Sequence, residues 1–271
     1  KQLDNLLDLP DTGCVVTKSG TINERSGNDE PRLYVTDLCT INSMGLPNPG
    51  YKFYTEYINK KNKINIKPII QSIYVFSKDE LKYILDDLNQ SINLKQLIEL
   101  NISCPNIVGK NSSDYFESIE FYMDYLKQTR FKSNLIIGLK MTPIFNLNEF
   151  DIMSNLLLKY DIPFITATNT IPNGLVVDSK TNSTIIHPNN GLGGISGKII
   201  KPISLSNVYN YSKRLSNKID IIGCGGISNG EDVYEYILCG AKAVQIGSTL
   251  WEEGLDCFDR ITNELIEIMN K

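Results

Sequence analysis

Short apolar segments alternate with longer segments of helical periodicity along most of the chain. The apolar segments predict seven β-strands, at residues 14–18, 68–73, 97–101, 135–140, 164–168, 219–223 and 243–247. Apolar residues spaced three and four positions apart predict helices at residues 1–9, 51–61, 78–90, 114–129, 147–160, 202–215, 231–238 and 252–270. Alternation of this kind is typical of βαβ units and a parallel sheet.

Two segments, residues 20–44 and 171–197, interrupt this alternation and show no helical period. They predict loops and β extensions beside the sheet. A closed βα barrel needs eight strands, and the chain opens within a helix that precedes the first of seven. We therefore expect a single barrel domain over residues 1–271, with β extensions at the C-terminal mouth and its first strand before Lys1. A doubly wound open sheet is the alternative, but its glycine-rich turn follows the first strand, and here such turns come last.

Composition narrows the class of protein. Hydrophobic residues make up 41% of the chain, which is enough for a full core, and the net charge of -4 argues against a nucleic-acid surface. No apolar run approaches the roughly 20 residues that span a bilayer, and no signal peptide is visible. We expect a soluble, cytoplasmic protein that uses no membrane anchor.

The six cysteines lie at least fifteen positions apart, so no CxxC pair for zinc or an iron–sulfur cluster exists. They predict reduced thiols in a reducing compartment. The single histidine, His187, precedes a proline and is interpreted as structural. No metal site is expected, and a histidine-based catalytic triad is disfavoured.

Candidate chemistry follows the strand at residues 97–101. The apolar run ends at Asn101, and a proline and a glycine then turn the chain away, which leaves two amides, a hydroxyl and the Cys104 thiol at the strand's carboxyl end. Such a group suits a flat heterocycle that needs hydrogen bonds and a proton-transfer group, with Cys104 as the base. The same residues are common in ordinary turns, and an isolated cysteine is often a small buried residue, so both readings stay open.

Glycine-rich turns follow the last two predicted strands, at residues 223–227 and 245–249. In a βα barrel these two loops often bind phosphate through backbone N–H groups and a helix N-terminus. The glycines at residues 191–197 provide a possible third backbone wall. Two lysines, Lys18 and Lys140, each end an apolar strand and could stabilise negative charge on a bound ring, although a lysine at a strand end also simply reaches solvent.

Four motifs in this order resemble the dihydroorotate dehydrogenase family over essentially the whole chain. They are Ile-Asn-Ser-Met-Gly-Leu-Pro-Asn at 41–48, Asn-Ile-Ser-Cys-Pro-Asn at 101–106, Thr-Asn-Thr-Ile-Pro-Asn-Gly-Leu at 168–175 and Gly-Gly-Ile-Ser-Gly at 193–197. The resemblance implies an FMN-containing βα barrel that oxidises dihydroorotate to orotate in pyrimidine (UMP) biosynthesis. It implies substrate binding by Asn42, Asn101, Asn106, Asn169, Thr170 and the backbone of Met44, Gly45 and Leu46. It implies FMN binding by Lys18, Ser19, Asn101, Lys140, Gly194, Gly225, Gly226, Gly247 and Ser248.

The resemblance also implies a mechanism, in which Cys104 takes the C5 proton of dihydroorotate and Lys140 stabilises reduced FMN. Cysteine at this position resembles the soluble class 1 enzymes. Gly109 and Lys110 are closer to the homodimeric branch that uses fumarate than to the branch that passes electrons to NAD through a partner subunit. Two other functions stay open: a flavin barrel like dihydropyrimidine dehydrogenase, and a non-catalytic barrel that binds a phosphate or nucleotide.

Overall fold

The computed structural model describes residues 2–61, 67–91, 95–102, 112–130 and 134–271. Its strands are β1 Val15–Val16, β2 Leu33–Val35, β3 Thr40–Asn42, β4 Ile69–Ile73, β5 Gln96–Asn101, β6 Leu135–Met141, β7 Phe164–Ala167, β8 Ile171–Leu175, β9 Val177–Asp178, β10 Ser183–Thr184, β11 Leu192–Ser196, β12 Asp220–Cys224 and β13 Ala243–Gln245. Its α-helices are α1 Gln2–Asp8, α2 Tyr51–Lys61, α3 Lys78–Ser91, α4 Ser112–Arg130, α5 Leu147–Lys159, α6 Lys201–Leu215, α7 Gly230–Leu238, α8 Ser248–Glu253 and α9 Cys257–Met269.

Seven strands form one parallel sheet in the order β1-β4-β5-β6-β7-β12-β13. These are the seven strands that the apolar segments predict, in chain order, so the prediction of a parallel βα sheet is confirmed. A helix follows each of β4, β5, β6, β12 and β13, and this alternation brings all the carboxyl ends of the strands to one edge of the sheet. Polar residues that follow the strands therefore gather at that edge.

The helices cover the outer face of the sheet with amphipathic surfaces. In α3 the fully buried residues are Leu81, Ile84, Leu85 and Leu88, spaced as one face of a helix. They belong to one large core cluster that includes Ile98 and Leu100 of β5 and Leu139 of β6. Within the described ranges, no helix is both long and apolar enough to cross a membrane.

Both non-helical segments contribute to a second, antiparallel sheet of four strands in the order β2-β3-β11-β8. Strand β11 pairs with β3 so that Gly194 lies opposite Asn42, and it pairs with β8 on its other side. The predicted β extensions are therefore confirmed, and they form one sheet from two distant parts of the chain.

The predicted final helix, residues 252–270, is wrong in its extent. The structure has two helices, α8 and α9, which are separated by residues 254–256. Gly254 has a φ of 79°, a left-handed conformation that ends α8 and that favours glycine. Gly254 is visible in the sequence, and a glycine inside a helical pattern can indicate such a break.

The inner face of the parallel sheet is polar towards the carboxyl ends of its strands. Side chains of Glu99, Lys140, Thr166 and Gln245 come from four different strands and are joined by hydrogen bonds. Since side chains alternate between the faces of a strand, the apolar neighbours of these residues point outward into the helices. Deeper on the inner face Gly138 of β6 lies against the ring of Phe164, where an added Cβ would be 2.4 Å from ring atoms.

We expect Gly138→Ala to lower the free energy of unfolding by about 1–3 kcal/mol, because the new methyl group overlaps a buried ring. Urea unfolding followed by circular dichroism measures the change. Gly13→Ala is the matched control, because an added Cβ there has no neighbour within 4 Å. Equal stability of both variants would show that Phe164 moves aside without cost.

Candidate active site

Two adjoining cavities lie at the carboxyl ends of the parallel strands. We call the first, of about 400 Å³, the glycine cavity, because Gly197, Gly225, Gly226 and Gly247 line it. We call the second, of about 670 Å³, the amide cavity, because several asparagine side chains line it. The residues common to both are Lys18, Asn42, Met44, Lys140, Asn169, Thr170, Cys224, Gln245 and Gly247. Volumes of this size are usual for sites that bind small organic molecules.

The turn after β12 lets the backbone approach the glycine cavity closely. Gly225 and Gly226 have φ values of 137° and 69°, and an added Cβ would be 2.1 Å from the Ser204 hydroxyl at Gly225 and 2.9 Å from Lys201 at Gly226. Within the part of the chain that the structure describes, the backbone N–H groups of both glycines donate no hydrogen bond. Backbone donors without a protein partner at a cavity wall suit an anion such as a phosphate group.

Gly247 follows β13 and differs from the other glycines of the wall. An added Cβ at this position has no neighbour within 4 Å, so the protein itself leaves space there. Its φ of -123° is negative, so the backbone does not take the left-handed conformation that favours glycine. Protein packing therefore does not require glycine at position 247, whereas a ligand lying against the backbone would require it.

A chain of hydrogen bonds orders the amides of the amide cavity. Asn169 donates from Nδ2 to Asn101 Oδ1 at 3.1 Å, and Asn101 donates from Nδ2 to Ser19 Oγ at 3.2 Å. The Ser19 hydroxyl lies 2.9 Å from that of Ser72, and Asn169 Oδ1 accepts from the Thr170 backbone N–H at 2.8 Å. These bonds fix the orientation of each amide, so the cavity presents a defined set of donors and acceptors.

Asn42 and the turn after it form another wall of the amide cavity. Asn42 donates from Nδ2 to the Gly194 carbonyl at 3.3 Å across the β3–β11 pair. Gly45 and Leu46 both have positive φ, at 70° and 56°, so this turn has a tightly curved backbone. Asn28 supports it by donating to the Ser43 carbonyl at 2.8 Å.

Lys140 is enclosed at the junction of the two cavities. It donates from Nζ to Gln245 Oε1 at 2.7 Å, and the Cys224 sulfur and the Glu99 carboxylate are its other charged or polar neighbours. Burial alone lowers the pKa of Lys140, but the attraction of Cys224 and Glu99 outweighs burial and raises the pKa above the ordinary lysine value. Lys140 therefore keeps its positive charge in the cavity.

Lys18 also lines both cavities, but its electrostatic surroundings are different. The side chain is exposed to the cavity space, and the surrounding walls lower the pKa of its ammonium group by desolvation. Among the described residues, no carboxylate offsets this desolvation. An anionic ligand in the cavity would provide the missing countercharge.

All candidate site residues that the structure describes line at least one of the two cavities. Cys104 and Asn106 lie outside the described residues. Sequence reasoning missed Glu99, Gln245, Thr166, Thr142 and Cys224, which also face this region. The sequence does contain a signal for Glu99. A carboxylate within an apolar strand costs free energy unless it faces polar partners, so Glu99 is expected to face a polar interior.

A scan against protein-family models matches residues 1–269 to the family described as "Dihydroorotate dehydrogenase". Among curated proteins, "Dihydroorotate dehydrogenase A (fumarate)" of Lactococcus lactis is 42% identical over 268 residues, which cover 98% of this chain and 85% of that protein. "Dihydroorotate dehydrogenase (fumarate)" of Lachancea kluyveri is 38% identical over 273 residues, covering 100% of this chain and 86% of the other.

Among solved structures, DHODH of Eimeria tenella in complex with ferulenol has a TM-score of 0.75 to this chain. The match covers 95% of this chain and 75% of the other, at 19% sequence identity. At that identity the likeness concerns the fold, which is the βα barrel that the strand order predicts.

We expect Lys18→Met to raise the free energy of unfolding of the ligand-free protein near neutral pH, because it removes an enclosed ammonium group. The folded-state pKa of Lys18 lies below the ordinary 10.5, so between these two values the unfolded chain binds more protons and wild-type stability rises with pH. The gain from the substitution should therefore shrink as pH approaches 10.5. Urea unfolding at several pH values measures it.

Lys218→Met, at an exposed lysine, is the control for this comparison. It should change stability by less than about 0.5 kcal/mol at each pH. A Lys18→Met variant that is less stable than the wild-type protein would contradict the electrostatic account of Lys18.

Proposed function

The chain belongs to the dihydroorotate dehydrogenase family, and on this premise we propose that it binds FMN and oxidises (S)-dihydroorotate to orotate with fumarate as the final acceptor. Membership of this family makes it an oxidoreductase of pyrimidine biosynthesis. We propose that residues 1–271 form one FMN-binding domain. The observation that carries it is the pair of adjoining cavities, one walled by glycine backbone and one by ordered amides, with Lys18 and Lys140 at their junction.

FMN fits the glycine cavity by the chemistry of its walls. The unused backbone donors of Gly225 and Gly226 suit the phosphate group, and the open space at Gly247 suits a ligand that lies against the backbone. The residues proposed to hold FMN are Lys18, Lys140, Gly225, Gly226, Gly247 and Ser248, which line the glycine cavity, and Ser19, Asn101 and Gly194, which line the adjoining amide cavity. When bound, FMN supplies the hydride acceptor that no amino-acid side chain can provide.

The amide cavity suits the dihydroorotate ring, whose alternating N–H and C=O groups need both donors and acceptors in one plane. Asn42, Asn101 and Asn169 are proposed to bind that ring, together with Asn106 and Thr170. The backbone of Met44, Gly45 and Leu46 is proposed to hold the carboxylate. The ordering of Asn169 by Asn101 and of Asn101 by Ser19 supports this role, because preorganised amides lose little entropy when they bind a ligand.

Cys104 is proposed as the base that removes the C5 proton. In the sequence it follows Asn101, the last residue of β5, by three positions. A free thiol has a pKa of about 8.5, so a modest decrease gives a thiolate near neutral pH. Lys140, which keeps its positive charge, is proposed to stabilise the negative charge of reduced FMN.

We also propose that fumarate is the electron acceptor and that the protein is a homodimer. Two relatives carry the word fumarate in their names, and they match this chain over at least 98% of its length. The homodimer follows from the resemblance of residues 109–110 to the homodimeric branch.

The absorbance spectrum before and after anaerobic addition of dihydroorotate tests the proposal directly. We expect a flavin spectrum that bleaches with dihydroorotate, stays unchanged with dihydrouracil, and returns on addition of fumarate without a partner protein. Dihydrouracil lacks the carboxylate that the turn at residues 44–46 is proposed to bind. Bleaching by dihydrouracil would assign a different pyrimidine substrate, and a colourless protein would exclude the flavin enzyme.

Cys104→Ala should keep bound FMN but slow bleaching by dihydroorotate by roughly 10²- to 10⁴-fold, the usual contribution of a general base. Stopped-flow absorbance measures this rate. Cys239→Ala, at the end of α7 and outside the residues that line the two cavities, is the matched control and should bleach at the wild-type rate. Wild-type bleaching by Cys104→Ala would remove Cys104 from the base role.

Gly247→Ala should weaken FMN binding without changing the thermal stability of the FMN-free protein. The added methyl group has no protein neighbour within 4 Å, so it occupies space that only a ligand uses. Titration of the FMN-free protein with FMN, followed by flavin fluorescence, measures the affinity. Unchanged affinity would place the flavin away from the turn after β13.

A further inference from the structure

Four side chains from four strands form a hydrogen-bonded cluster, and three of them, Glu99, Lys140 and Gln245, line the cavities. Glu99 Oε2 accepts from Thr166 Oγ1 at 2.7 Å and from Gln245 Nε2 at 2.8 Å. Gln245 Oε1 in turn accepts from Lys140 Nζ at 2.7 Å. Glu99 is only 4% exposed, so its carboxylate depends on these partners in place of water.

The order of donors and acceptors in this cluster has one consistent solution. An ammonium group only donates and an ionised carboxylate only accepts, so the Gln245 amide must turn its oxygen to Lys140 and its NH₂ group to Glu99. Glu99 therefore fixes the orientation of the amide, and the amide fixes the position of Lys140. Reversal of the amide would place its NH₂ group against an ammonium and its oxygen against a carboxylate.

We infer that Glu99 is a positioning residue, which acts through Gln245 to hold the charged Lys140 at the junction of the two cavities. This role rests on the proposed function, because the site that Lys140 serves is the proposed FMN site. Glu99 also balances the charge of Lys140 within the protein. Among the described residues, Cys224 is the second titratable group that acts on Lys140, and Lys18 lines the same two cavities.

The midpoint potential of bound FMN distinguishes two roles of Glu99: holding Lys140 in place, and acting on the flavin through its own negative charge. Reduced FMN is more negative than oxidised FMN, so a fixed Lys140 ammonium raises the potential. If Glu99 acted only through its own charge, Glu99→Gln would raise the potential and Glu99→Asp would leave it unchanged. If Glu99 holds Lys140, both variants lower the potential, because Gln lacks the charge and Asp is too short to reach Gln245.

We expect a decrease of about 30 mV in each variant, the equivalent of a tenfold weaker preference for the reduced form in a two-electron couple. Anaerobic titration with a redox dye measures it. An unchanged or raised potential in both variants would overturn the positioning role.

A double-mutant cycle tests whether Glu99 acts through Gln245. In a Gln245→Met background, Glu99→Asp should shift the potential by much less than in the wild-type background, because the link to Lys140 is already removed. Gln71→Met is the matched control: it removes another buried amide, which bonds to α2 outside the cavities, and should leave the potential unchanged. Additive shifts would mean that Glu99 acts without Gln245.

Chemical labelling of Lys140 in the FMN-free protein gives a readout that needs no flavin. Acetic anhydride reacts with accessible neutral amines, so Lys140 in Glu99→Asp, which keeps the charge but is too short to reach Gln245, should be labelled roughly tenfold faster than in the wild-type protein, measured by peptide mass spectrometry against exposed Lys218. Thr166→Val, which keeps the carboxylate and the amide, gives a smaller increase and serves if Glu99→Asp fails to fold. Equal labelling would overturn the inference even in a protein that binds no FMN, whereas a colourless protein with faster labelling would overturn the proposed function alone.

Discussion

The register between neighbouring parallel strands is the constraint on which the site depends. Strands β5 and β6 pair with Asn101 opposite Lys140, and β6 and β7 pair with Lys140 opposite Thr166. Because side chains alternate between the two faces of a strand, a shift of one residue in β6 would turn Lys140 outward into the helices. The apolar outward residues of these strands, such as Ile98 and Leu139, oppose that shift by their burial in the core. The packing of the core therefore fixes the polar arrangement of the inner face.

Much of the fold follows from the sequence because the parallel strands and their covering helices have distinct apolar periods. The four buried residues of α3 and the buried strand β4 are examples in which local pattern and final burial agree. The antiparallel sheet was predicted only as unspecified β extensions, since β3 and β11 lie in segments with no continuous apolar pattern and pair across a long separation. The break between α8 and α9 depends on one glycine, whose positive φ overrides an otherwise helical pattern.

The sequence pattern by itself indicates candidate residues only where polar groups or glycines follow a strand end. Lys18, Lys140 and Asn101 end apolar strands and glycine-rich turns follow β12 and β13, whereas Asn42, Asn106, Asn169 and Thr170 are candidates through the family resemblance. The sequence predicts no role for Glu99, Thr166 and Gln245, because they lie within strands and an apolar run by itself indicates uniform burial. A polar side chain in such a strand is tolerated when partners from other strands satisfy it, and those partners are visible only once the strand order is known. Glu99 and Gln245 line the cavities beside the asparagines and glycines, whereas Thr166 acts on that surface only through its hydrogen bond to Glu99.

The pairing of Asn42 with Gly194 joins residues that are 152 positions apart in the chain. Closing so long a loop carries a large entropic cost, and contacts of this separation form slowly compared with the local turns of a helix. Far-UV circular dichroism of a refolding sample therefore reports mainly the βα units, which fold from neighbouring residues. A measurement of ligand binding detects the complete sheet, because the cavity wall that carries Asn42 forms only when β3 and β11 have paired. A refolded preparation can therefore regain its helical content before this wall has formed.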